Sequence, residues 1–179
     1  MSVATTLIMM CGLPFSGKTT LARILSRTLN WMYISLDDTI SALGFWDQGY
    51  DITQNQWNEA YTKAHNTVRT ALQEGNSVIY DETNYRRLHR DRLRQIAVET
   101  RTRSYVVYLD VSLAEVQARI IANRIQSQRG DITDEALRYV VERIEPPMPE
   151  EHVLLFTQDT PIHEWLSRTR SILDQAEAP

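Results

Sequence analysis

The run Gly12-Leu13-Pro14-Phe15-Ser16-Gly17-Lys18-Thr19 fits G-x-x-x-x-G-K-[ST], a pattern whose backbone N–H groups wrap a phosphate chain. Gly12 and Gly17 let the chain turn those N–H groups inward, and Pro14, Phe15 and Ser16 complete the loop. Lys18 is placed to reach the β- and γ-phosphates and the Thr19 hydroxyl to ligate Mg²⁺, while Thr20 touches phosphate from the first helical turn. Two acidic pairs could act on that phosphate. Asp81-Glu82 follows the apolar run Val78-Ile79-Tyr80, and an acid in that position can hold Mg²⁺. Asp37-Asp38 follows another apolar run, and a carboxylate there could take the proton of an acceptor hydroxyl. Arg119, Arg124 and Arg129 lie around the break QSQRGD, where arginines on a lid could stabilise charge on a transferring phosphoryl group. Arg86, His89 and Arg90 share one helical face in the basic run RRLHRDRLR, where an anionic part of an acceptor could dock.

These residues must be held by a scaffold, and the hydrophobic pattern supplies one. Short apolar runs at Leu7–Cys11, Trp31–Asp38, Ser77–Asn84, Arg103–Val111 and His152–Gln158 read as five strands. Between them, apolar residues recur at helical spacing, as at Leu21, Ile24, Leu25 and Leu29 and again at Trp57, Ala60, Tyr61, Ala64, Val68 and Leu72. Gly75 can end that second helix. Ser112 with Glu115, Thr133 with Ile132 and Leu137, and Thr160-Pro161 mark three further helix starts. Alternation of strands and helices implies an α/β fold with a parallel sheet, whose ligands bind at the carboxyl ends of the strands. The loop, Asp37-Asp38 and Asp81-Glu82 all fall at such ends and should share one crevice. No repeat or linker interrupts residues 1–179, which read as one domain with a lid at about 119–135.

Composition narrows the functions. The net charge of −4 argues against a strongly basic nucleic-acid binder. A single cysteine, Cys11, allows no internal disulfide and suggests a reducing, cytoplasmic setting. The apolar start is far short of the roughly 20 residues of a membrane helix. The four histidines show no metal-ligand spacing. The aromatic residues read mainly as core groups, with Trp46 and Tyr50 in the loop GFWDQGYDIT as exceptions.

Taken in order, CGLPFSGKTTLA, YISLDD, VIYDETN and the arginine-bearing lid resemble the small P-loop kinases of the polynucleotide-kinase type, to which zeta toxins and chloramphenicol phosphotransferase are related. The resemblance implies a five-stranded parallel sheet in the order 2-3-1-4-5, with helices on both faces. It implies ATP and Mg²⁺, and transfer of the γ-phosphate to a hydroxyl acceptor. By position it gives Asp37 as general base, Lys18 and Thr19 as phosphate and Mg²⁺ ligands, and Arg119 and Arg124 as lid arginines. Asp81, Thr83 and Asn84 match the acceptor-side strand end, where Asp38 and Arg90 could also contact the acceptor and Asp81 the metal. An arginine that follows the catalytic Asp by three residues in the polynucleotide kinase is here Ile40. The acceptor is left open between a small molecule, a nucleotide and a 5′-hydroxyl nucleic-acid end, the last not favoured. The alternative is an ATPase or nucleotide-dependent switch using Asp81-Glu82.

Overall fold

The structure is a computed structural model of the chain, and it describes residues 5–46, 52–126 and 130–175. Five parallel strands form one sheet: β1 (Thr6–Gly12), β2 (Met32–Ser35), β3 (Val78–Asp81), β4 (Arg103–Asp110) and β5 (Val153–Thr157). Their order is β2-β3-β1-β4-β5, as the resemblance implies. Strand β1 lies at the centre, and every one of its residues is buried, because helices cover both faces of the sheet. Alternate side chains serve opposite layers. Leu7, Met9 and Cys11 face α2 (Leu36–Ala42), α3 (Gln54–Gln73) and α4 (Arg87–Glu99). Ile8 and Met10 face α1 (Lys18–Leu29), α5 (Leu113–Gln126), α6 (Asp134–Val141) and α7 (Ile162–Gln175).

The helix boundaries follow local chemistry. Gly75, at φ +85°, closes α3 in the left-handed region. Ser112 Oγ accepts the Glu115 N–H at 3.3 Å and starts α5. Thr133 Oγ1 accepts the Ala136 N–H at 3.1 Å and starts α6, with Ile132 and Leu137 packed in one cluster. Helix α4 has no side-chain cap of its own; a remote Glu145 carboxylate accepts the Arg87 N–H at 2.6 Å.

One element differs from the sequence reading. Trp31–Asp38 is not a strand throughout: β2 stops at Ser35, whose Oγ accepts the Asp38 N–H at 3.2 Å and opens the seven-residue α2. Asp37 and Asp38 therefore sit in the first turn of a helix, where a negative charge is favoured by the helix dipole. Among the described residues, no helix is long and apolar enough to cross a membrane. Tyr50 and Arg129, the latter expected on a lid, lie outside the described residues.

Candidate active site

The loop between β1 and α1 owes its shape to backbone conformations that few side chains tolerate. Gly12 has φ +149°, and a Cβ there would stand 2.9 Å from the Leu109 carbonyl oxygen. Phe15 and Gly17 take φ +62° and +102°. Such alternation turns successive N–H groups into a concave anion nest. The Lys18 ammonium donates to the carbonyls of Gly12 (3.0 Å) and Leu13 (2.7 Å) and so lies folded along the loop. Burial lowers its pKa, opposed by the nearby carboxylates of Asp81 and Glu82. The Ser16 hydroxyl is buried and, among the described residues, has no hydrogen-bond partner, which suits a loop whose missing acceptor is a phosphate oxygen. Pro14 is half-buried, and Thr19 and Thr20 stand exposed on the first turn of α1. Arg119 braces the loop from outside: its guanidinium donates to the carbonyls of Ser16 (2.9 Å) and Phe15 (3.3 Å) and is steadied by Glu115 at 2.8 Å.

The carboxylates lie across the crevice. β2 pairs with β3 so that Ser35 stands opposite Asp81, which brings the start of α2 beside the end of β3. Asp37 is exposed there. Desolvation on its protein side, followed by the charges of Asp81 and Glu82, raises its pKa, while Lys18 pulls the other way. Asp81 is buried, and its carboxylate accepts the Tyr33 hydroxyl at 2.7 Å. Glu82 is occupied by three donors: the Thr83 hydroxyl and the Asn84 N–H, both at 2.5 Å, and the Tyr61 hydroxyl at 3.4 Å. Burial raises the Glu82 pKa, and its hydrogen bonds to Thr83 and Asn84 oppose the rise. Among the described residues, no three His, Cys, Asp or Glu side chains form a metal cage. Mg²⁺ held by one or two protein groups and completed by phosphate oxygens needs no such cage, and the donor set of Thr19 and Asp81 suits it.

Several expected site residues are placed elsewhere. Arg90 does not serve an acceptor. It is fully buried, its guanidinium pairs with both oxygens of Glu151 (2.7 and 3.1 Å), and it donates to the Asn84 carbonyl at 2.9 Å. Asn84 is also withdrawn: it is 1% exposed, and its amide donates to the Met10 carbonyl at 2.8 Å. Thr83 turns its hydroxyl to Glu82, and its carbonyl accepts the Gly12 N–H at 3.2 Å. Asp38 leans away from the crevice toward Arg23, 3.9 Å distant. Arg124 is bonded to Asp131 (2.9 Å), Asp134 (2.8 Å) and the Ile132 carbonyl (2.9 Å). Ile40 is fully buried in the core, so that position presents nothing to a ligand. Tyr33, Tyr61 and Glu151 were not anticipated. Tyr61 was legible only as a member of an apolar stripe, and the other two have partners 48 and 61 residues away.

A glycine loop between a central parallel strand and a helix, with acids at the neighbouring strand ends, defines a P-loop nucleotide-binding domain. The family model described as AAA_33, AAA domain, matches residues 7–147, and the chain belongs to that family. It is 27% identical over 143 residues to the L-seryl-tRNA(Sec) kinase of Methanococcus maripaludis, a match covering 79% of this chain and 53% of that protein. The chain thus spans about half the length of this relative. Among solved structures, a candidate kinase from Chloroflexus aurantiacus superposes with a TM-score of 0.76 at 20% identity, covering 97% of this chain and 98% of that one. The Mycobacterium tuberculosis APS kinase CysC, in complex with AMPPNP and APS, gives 0.70 at 16% identity, covering 96% and 99%. At these identities the superpositions establish a common fold, that of small P-loop kinases.

Proposed function

We propose that the protein transfers the γ-phosphate of ATP to an alcohol, with Asp37 as general base. The observation that carries this reading is the exposed Asp37 carboxylate, its pKa raised, at the crevice beside Lys18 and Asp81. A base of raised pKa takes a hydroxyl proton more readily near neutral pH. The acceptor O–H gives its proton to Asp37 as its oxygen bonds to the γ-phosphorus. The bond from that phosphorus to the β,γ-bridging oxygen breaks, and ADP leaves with the electron pair. The loop N–H groups and Lys18 hold the phosphates and offset the charge that spreads over their oxygens. Mg²⁺, held by Thr19 and by Asp81, would neutralise charge on the β- and γ-phosphates. The closed set of donors around Glu82 supports a kinase over an ATPase, because a carboxylate already bound to Thr83, Asn84 and Tyr61 is poorly free to orient water. The chain's kinship with a seryl-tRNA(Sec) kinase and its fold shared with an APS kinase support the same class.

The test is label transfer from γ-labelled ATP to pools of hydroxyl-bearing metabolites and of 5′-hydroxyl oligonucleotides. Asp37→Asn should reduce transfer by roughly 10²–10⁴-fold while AMPPNP still binds. Undiminished transfer in that variant would remove Asp37 from the mechanism. Fast hydrolysis without any acceptor, stopped by Glu82→Gln, would overturn the kinase reading.

A further inference from the structure

Beside Asp37 and Glu82, the layer between α3 and α4 changes character. Deep in that layer the packing is aliphatic, through Ala60, Ala64, Leu93 and Ile96. Toward the carboxyl end of β3 it becomes a row of rings. Tyr61 is the hub, with its centroid 5.8 Å from His89 and 5.9 Å from His65, and Tyr85 lies 5.2 Å beyond His89. Tyr61, His89 and Tyr85 are each only half-buried, so the row keeps an open side. The Tyr61 hydroxyl, bonded to Glu82, fixes the row to the crevice floor.

Two further features mark this layer. Behind the row, the Tyr80 hydroxyl is fully enclosed with no hydrogen-bond partner among the described residues, and so is Nδ1 of His89. Buried polar atoms left unpaired cost about 1–3 kcal/mol each, and simple helix packing would not require them. At the rim, Arg86 and Arg92 are exposed and, among the described residues, make no ion pair, whereas Arg87, Arg90 and Arg94 of the same segment are all paired. Arg86 also lines an open hollow of about 250 Å³ with Glu142, Arg143, Ile144 and Glu145.

We propose that the open side of Tyr61, His89 and Tyr85, rimmed by Arg86 and Arg92, is the acceptor subsite. Its ligand is an alcohol that carries a planar ring and an anionic group. The ring lies against the row, the anion meets the two free guanidinium groups, and the hydroxyl reaches toward Asp37. This rests on the phosphotransferase reading for the identity of the acceptor. The row and its rim are independent of that reading as a place to bind.

Equilibrium binding by calorimetry, with AMPPNP present, tests the subsite without turnover. The probes are a matched triad: 4-(hydroxymethyl)phenyl phosphate, benzyl alcohol without the anion, and 4-hydroxybutyl phosphate without the ring. The first should bind about tenfold or more tightly than either of the others, since stacking and a charge-assisted contact are each worth roughly a decade. Arg86→Ala with Arg92→Ala should erase the preference over benzyl alcohol, and Tyr61→Leu the preference over the ring-free phosphate. Because both arginines are exposed, their replacement keeps the test valid even where Tyr61→Leu fails to fold. Equal binding across the triad, or none at all while AMPPNP binds, overturns the subsite and leaves the phosphotransferase reading standing. Loss of AMPPNP binding in the unaltered protein would strike the reading itself. Adding uridine 3′-monophosphate separates two sources of the same chemistry: tighter binding than the phenyl phosphate indicates a nucleotide, weaker binding an aromatic metabolite.

Discussion

On the phosphate side of the crevice, between β1 and α1, the groups that would face a ligand are backbone N–H donors. Their directions are set by Gly12, Phe15 and Gly17 within six residues of sequence. On the acceptor side the groups are side chains, and they come from α2 (Asp37), α3 (Tyr61), the end of β3 (Glu82) and α4 (His89). The first half can be specified by a short motif. The second depends on how four elements pack, and a change in any of them alters it. A fold of this kind can therefore keep one donor while its acceptor varies. The two halves are nonetheless joined. Arg90 of α4 holds the Asn84 carbonyl, Asn84 holds Met10 of β1, and the Thr83 carbonyl holds the N–H of Gly12.

Breaking that joint should give the largest loss of stability. Burial pushes the Glu151 carboxyl up, but the Arg90 and Met148 hydrogen bonds outweigh it and hold its pKa below the usual value. Arg90→Met leaves the buried Glu151 with Arg94, at 2.8 Å, as its one remaining cation among the described residues, and leaves the Asn84 carbonyl without its guanidinium donor. Removing one partner of a buried pair costs about 3–5 kcal/mol, and urea unfolding would measure it. Replacing both partners, as in Arg90→Met with Glu151→Leu, should recover much of the loss, because the buried carboxylate that has lost its bidentate partner is gone. If Arg90→Met instead unfolds at the same denaturant concentration as the parent, the two sides of the crevice are independent.

The same contrast governs what could be read from the sequence. The five strands were legible because strands covered on both faces are short, nearly unbroken apolar runs, as β1 and β3 are. Gly75, Ser112 and Thr133 were legible because caps act within four residues. The end of β2 was misjudged because Leu36 prolongs its apolar pattern, although Ser35 with Asp38 three residues later carries the signature of a helix start. Arg90 was misassigned for a different reason. A basic run normally faces solvent, and its partner Glu151 lies 61 residues away with no local signal to connect them. Arg124 was expected on a lid, and its carboxylate partners at Asp131 and Asp134 are visible only once α5 and α6 are set side by side.

A smaller effect should separate backbone from side-chain construction on the phosphate side. Gly12→Ala places a methyl 2.9 Å from the backbone oxygen of Leu109 and 3.1 Å from the Ser16 hydroxyl, at a φ that L residues rarely adopt. The strain is about 3 kcal/mol, at the upper end for a disfavoured backbone position. Because it falls inside the nest, AMPPNP affinity should drop more than stability does. Phe15→Ala, which keeps the local backbone accessible, is the comparison. Equal loss of AMPPNP affinity in both would mean that the Phe15 side chain, and not the loop conformation, carries the binding.

The smallest expected effect belongs to the acceptor side and appears only in acid. Burial, reinforced by Arg92, His89 and Arg69, lowers the His65 pKa to about 4 from its ordinary value near 6.5. Between those values the unfolded chain binds a proton that the folded chain refuses, so stability rises with pH across this window and is lost as pH falls through it. The loss at about pH 5 relative to about pH 7 is on the order of 2 kcal/mol. It should be seen as a lower melting temperature in acid. His65→Phe keeps a ring against Tyr61 and Tyr80 and removes the titration, so its melting temperature should depend less on pH over this range. Phosphate-side variants such as Gly12→Ala leave His65 in place and should retain the parent's slope. If His65→Phe retains it as well, the acid sensitivity comes from another group, and the ring row is less sealed from water than its burial indicates.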